Sequence, residues 1–130
     1  MVILDQFQDI LLVCFGALLG VNIRFILFQE LKKNILINDF SILIINTFSS
    51  FLLGIFLSVL PRISSYDFSY KLVLFFSIGL LGSLSTFSTF VYDLCNTFVE
   101  FKFFSALKIF FISMFLGIIS LAFGLYLGNQ

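Results

Sequence analysis

Four stretches of the chain, at about residues 10–28, 41–60, 72–92 and 106–128, are long, apolar and nearly free of charge. A helix needs roughly 20 such residues to cross the hydrocarbon of a bilayer, where the backbone must satisfy its own hydrogen bonds. The lengths therefore predict an all-α integral membrane protein with four transmembrane helices and both termini on one side. Composition agrees: 61% of residues are hydrophobic and 11% charged, against about 25% charged in soluble domains. The spans use up most of the 130 residues, so 1–130 reads as a single transmembrane domain. The first run lacks a basic segment before it and continues past Arg24, so it reads as a retained span and not a cleaved leader.

Charged and turn-forming residues separate the runs. The first connection, "QELKKNILIND", carries Glu30, Lys32, Lys33 and Asp39; the second, "PRISSYDFSYK", holds the only proline, Pro61, where hydrophobicity ends. Pro61 is expected to stop the second helix. The third connection is short, around Glu100 and Lys102. One face of the membrane receives Lys32, Lys33, Lys102 and Lys108, the other Arg62 and Lys71. By the positive-inside rule this slim excess tilts the termini outward and is compatible with insertion in both orientations.

Several function classes drop out. Formal net charge is zero, which gives no basic patch for nucleic acid. Histidine is absent, and with it the commonest proton shuttle and metal ligand. Cys14 and Cys95 show no ligand spacing and are expected to be packing residues. No Walker motif and no nucleophile with a nearby base is present, so neither a pump driven by nucleotide nor an enzyme is expected.

The third run contains a polar knot, "GLLGSLSTFSTF" (79–90), although no charged side chain lies between Leu72 and Tyr92. Gly79 and Gly82 weaken a helix, and Ser83, Ser85, Thr86, Ser88 and Thr89 compete for backbone groups, so a break is expected there. Carbonyls freed near Gly82–Ser85 would suit a small cation, and a half-helix N-terminus an anion. The same small residues also serve plain helix packing. Phe87 and Phe90 share a face, and their positive ring edges can attract an anion weakly enough to release it; in a chain with 21 phenylalanines, lipid-facing filler is the simpler alternative. The second run offers "NTFSSFLLG", a stripe of Asn46, Ser49 or Ser50, and Gly54. The Asn46 amide can donate to an anion or bond across helices. Ser113, Gly117, Ser120, Gly124 and Gly128 form a small-residue face on the fourth run, and Gly16 and Gly20 a close-contact pair on the first. Arg24 is the one basic residue set well within a run; mid-membrane placement costs about 3 kcal/mol, so it faces a watery vestibule or a protein partner, or it snorkels. Asp93 reads as an end-of-span carboxylate that pairs with it or with a partner chain, or as a solvated helix end.

These motifs, in this order, resemble the CrcB/Fluc family of fluoride-specific channels. "GALLGVNIRF" is similar to the family's first-span pattern through Gly16, Gly20 and Arg24; "NTFSSFLLG" matches the second through Asn46, Phe51 and Gly54; "GLLGSLSTFSTF" matches the third, with Thr86–Phe90 the specific core. The resemblance implies an antiparallel, dual-topology homodimer in the bacterial plasma (inner) membrane. It implies a third helix broken mid-membrane and a structural sodium ion (Na+) held at the dimer interface by backbone carbonyls, here those of Gly82 and Ser85. It makes Phe87 and Phe90 the pathway rings, Asn46 the amide donor, Ser88 and Thr89 a hydroxyl track, Ser113 a fourth-span member, and Arg24 a vestibule residue. Fluoride would leave the cell passively, relieving its toxicity.

The chain departs from the family pattern at Ala17, Ser49 and Ser83, each in place of glycine, at Ser85 in place of threonine, and at Ile109, where a pathway tyrosine is frequent. Pairing with a related subunit in a heterodimer would supply missing groups. The main rival is a small multidrug-resistance-type transporter, which needs an embedded carboxylate; no span centre carries Asp or Glu. A non-conducting accessory subunit is the other.

Overall fold

The computed structural model describes residues 2–33, 40–63, 66–100 and 102–130. Its elements are all helical: α1 (Val2–Lys32), α2 (Ser41–Ile63), α3 (Tyr66–Leu72), a π-helical stretch (Val73–Leu81), α4 (Gly82–Leu84), α5 (Phe87–Val99) and α6 (Phe103–Gly128). Among the described residues, four segments are long and apolar enough to cross a membrane: Leu4–Lys32, Ser41–Leu60, Phe68–Val99 and Phe103–Gly128. Each of the four runs expected from sequence lies within one of these segments. The first and third run further than hydropathy suggested, because helical hydrogen bonding carries on into polar flanks once the apolar part has nucleated it. Pro61 does not stop α2, which continues to Ile63. A proline in the final turn removes only the bond that its own N–H would give the Leu57 carbonyl, and the two residues after it keep helical backbone. Most of the first connection, residues 34–39, lies outside the described residues.

Two helix pairs organise the bundle: α2 lies along α6, and α1 along the π-helical stretch and α4. Both pairs cross where glycine faces glycine. A Cβ on Gly54 would run into the Leu121 carbonyl, and one on Gly124 into the Phe51 carbonyl; a Cβ on Gly16 would strike the Phe75 carbonyl, and one on Gly79 would sit 2.8 Å from that of Val13. In lipid there is no hydrophobic drive between helices, so such backbone-to-backbone contact supplies the van der Waals attraction that holds them. Replacing Gly54 or Gly124 with leucine is expected to cost about 3 kcal/mol through overpacking, seen as a lower melting temperature in detergent. Gly117→Ala is the control, expected to be neutral or stabilising, since an added methyl there meets only Ser50 Oγ at 3.8 Å.

The buried core is small. Ile45 from α2 meets Leu81 and Leu84, flanked by Leu27, Phe28 and Leu31 of α1 and Leu52 and Leu53 of α2. This cluster sits beneath the junction of the π-helical stretch and α4, where the third span changes conformation. Outer faces carry large exposed apolar side chains on every long helix, among them Phe15, Phe48, Phe87, Phe104 and Phe115. Cys14 and Cys95 also lie exposed, not packed inside as expected. A thiol behaves as a small apolar group, and lipid-facing surface accepts it as readily as a core does.

Candidate functional site

The third span loses its helical path at two residues. The π-helical stretch ends with the Gly82 N–H donating back to the carbonyls of Ser77 and Gly79. One further turn closes when the Ser85 N–H donates to the Leu81 carbonyl at 3.1 Å. Ser85 (φ −72°, ψ 150°) and Thr86 (φ −138°, ψ 122°) are then extended before α5 begins. Extended backbone among apolar helices leaves polar groups that need partners.

Asn46 supplies them. Its Oδ1 accepts the Thr86 N–H at 2.9 Å, and its Nδ2 donates to the Thr86 carbonyl at 3.1 Å. The side-chain amide thus pairs both ends of one residue, as a neighbouring β-strand would. Of the alternatives that the sequence left open for Asn46, interhelical bonding is present, and the second Nδ2 hydrogen remains for another acceptor. Thr86 N–H would have closed a turn on the Gly82 carbonyl; its commitment to Asn46 leaves that oxygen without its helical partner. Three residues along α2, Ser49 is 3% exposed and donates its hydroxyl to the Leu81 carbonyl at 3.0 Å. On the other side, the Ser83 hydroxyl lies 3.1 Å from the Ala17 carbonyl of α1 and the same distance from that of Leu80.

The α5 N-terminus is a hydroxyl cluster. Thr86 caps the helix, its Oγ1 accepting from the Thr89 N–H at 3.5 Å, and the same oxygen lies 3.1 Å from Thr89 Oγ1 and 3.4 Å from Ser88 Oγ. Sequence reasoning passed over Thr86 as a site residue, although a threonine ahead of a new helical run is a recognisable capping signal. Phe87 and Phe90 lie with ring centroids 6.4 Å apart and tilted by 45°; Phe90 in turn stacks on Phe110 of α6 at 6.4 Å. Phe87 is 76% exposed on the single chain.

Two cavities flank these groups. The smaller, about 200 Å3, is lined by Arg24 of α1, Ile42 and Ile45 of α2, and Thr86 and Thr89. Arg24 therefore faces the capped end of α5, the positive end of its dipole, in place of a carboxylate. The larger, about 440 Å3, is lined by Phe90, Ser113, Ile109, Asp93, Lys32 and Lys102, among others. Ser113 Oγ is buried with no hydrogen-bond partner among the described residues. Asp93 lines this second cavity, whereas Arg24 lines the smaller one. At the larger rim Lys102 donates to Glu100 at 2.9 Å, and that carboxylate raises the Lys102 pKa above the ordinary lysine value.

Four helical segments long and apolar enough to cross a membrane, with no other kind of element among the described residues, place the chain among small helical membrane proteins. A family model described as CrcB-like protein, Camphor Resistance (CrcB), matches residues 11–125, and the chain belongs to that family. A fluoride-specific ion channel FluC 2 of Prochlorococcus marinus (strain NATL2A) is 55% identical over 123 residues, spanning 95% of this chain and 99% of that protein. A fluoride-specific ion channel FluC of Thermosipho melanesiensis is 31% identical over 121 residues, 92% of this chain and 94% of the relative. A FluC 1 protein of Prochlorococcus marinus (strain MIT 9313) is 30% identical over 118 residues, 91% and 90%.

Proposed function

We propose that this chain is a fluoride-specific ion channel that lets the anion leave the cell down its electrochemical gradient and so lowers cytoplasmic fluoride toxicity. The observation that carries the reading is the near full-length, 55% identical relative named as such a channel. The chemistry of the site supports it. Fluoride is small and strongly hydrated, so a route for it must replace several water hydrogen bonds without a fixed charge that would trap the ion. Asn46 offers one uncommitted N–H, Ser88 and Thr89 offer hydroxyls, and Phe87 and Phe90 offer ring edges. The Ser113 hydroxyl, without a hydrogen-bond partner among the described residues and lining the same cavity as Phe90, is a further donor suited to a passing anion. Arg24, at the side of the cluster, raises local anion concentration from a vestibule.

The channel works as an antiparallel, dual-topology dimer in the bacterial inner membrane, with the break at mid-membrane depth. The slim lysine excess on one face fits insertion both ways. A structural sodium ion is part of the reading. The residues fit it: the Gly82 carbonyl has lost its helical N–H, Gly82 has no side chain to obstruct approach and is itself exposed, and main-chain oxygens at a helix C-terminus are the hard, partly negative donors that an alkali cation prefers. Gly82 and Ser85 would hold the ion, which would pin two chains together.

Proteoliposomes of the purified chain are expected to release fluoride at a rate far above empty vesicles and to retain chloride. Efflux no faster than in empty vesicles would reject the assignment. The numbering of relatives as FluC 1 and FluC 2 favours one second reading, a heterodimer with a related subunit. The two separate cleanly: a chain that conducts only when reconstituted with such a relative is a heterodimer subunit, and one that conducts alone is not.

A further inference from the structure

We propose that Ser49 is a positioning residue that presets the carbonyl-bearing turn for its cation; this rests on the sodium reading above. Two side chains on one face of α2, three residues apart, hold the two ends of the interruption. Asn46 clasps Thr86 at its far end. Ser49, 3% exposed, donates to the Leu81 carbonyl at its near end. That carbonyl is also the acceptor for the Ser85 N–H, so it closes the single turn that has Gly82 and Ser85 at its two ends. Fixing its oxygen from a neighbouring helix fixes the turn, and with it the direction in which the Gly82 and Ser85 carbonyls point.

A carbonyl pair held before the ion arrives loses less freedom on binding, which raises affinity without adding a ligand. The tie belongs to this chain's own residue, since glycine, which has no hydroxyl, stands at this position in the family pattern that the chain otherwise resembles. Ser49 adds no ligand; it acts through the Leu81 carbonyl. One net hydrogen bond of ordinary strength corresponds to about fivefold in the sodium dissociation constant.

The test is the melting temperature of the detergent-solubilised full chain, titrated with sodium against N-methylglucamine at fixed ionic strength. Wild type is expected to be stabilised with a saturable midpoint, and Ser49→Ala to need about fivefold more sodium. Ser120→Ala is the control. It deletes another interhelical hydroxyl bond, from α6 to the Thr47 carbonyl at 2.9 Å, and is expected to lower the baseline melting temperature while leaving the midpoint in place. Where Ser49→Ala fails to fold, Ser49→Cys, with its weaker donor, is expected to shift the midpoint in the same direction. An unchanged midpoint in the Ser49 variants, or an equal shift in Ser120→Ala, overturns the proposal and spares the sodium site. A wild-type chain indifferent to sodium overturns the sodium site and the proposal with it.

Discussion

Replacing Asn46 with aspartate is expected to abolish fluoride efflux from proteoliposomes and to destabilise the folded chain by about 2–3 kcal/mol. The geometry dictates both effects. Asn46 accepts from the Thr86 N–H and donates to the Thr86 carbonyl. An ionised carboxylate keeps the first bond and turns the second into an oxygen facing an oxygen at about 3 Å, in a region too apolar to screen the repulsion. The clasp opens on one side, and the remaining amide proton offered to an anion is replaced by negative charge. Flux and melting temperature measured on the same preparation are the check. Wild-type efflux would place Asn46 away from the conducting route, and an unchanged melting temperature would remove the clasp.

The second large effect separates conduction from stability. Phe87→Ile and Phe90→Ile, made singly, are each expected to lower fluoride efflux about tenfold or more, the loss of ring-edge stabilisation that an aliphatic side chain cannot supply. Phe87 is 76% exposed, so its substitution is expected to leave the melting temperature of the solubilised chain within the small range of surface changes. Phe90, wedged between the Phe87 and Phe110 rings, is expected to cost somewhat more. Unaltered flux in both variants would move the route away from this pair.

How far the sequence reached depended on which physical signal each feature leaves. Spans are written in hydrophobic length, and the existence of all four was legible, while the first and third helices extend beyond the apolar runs at both ends. Close contacts are written in glycine: Gly16 and Gly20 on α1 and the Gly124 face of α6 were readable as packing surfaces, and there the helices do meet. Which glycine met which was not readable, because i,i+4 spacing names a face and not its partner. The π-helical stretch Val73–Leu81 left no trace in "VLFFSIGLL", since a uniformly apolar run has no polar phase from which to read its pitch. The polar knot was conspicuous, yet its clasp was not. Asn46 and Thr86 are 40 residues apart, and composition records that a polar group exists without saying which neighbour satisfies it. Ser49 stood out only as a departure from a glycine, with nothing to say that its hydroxyl reaches Leu81. Cys14 and Cys95 went astray for a related reason: in a bilayer protein an apolar residue is as much at home outside as inside.

At Gly54 with Gly124, and at Gly16 with Gly79, main chain rests directly on main chain. Such a joint has no rotamers to exchange and no cushion to compress, so it behaves as a pivot of fixed height. Side-chain rearrangement therefore cannot part the paired helices at these crossings, and the same closeness recurs at Gly20 and at Gly128.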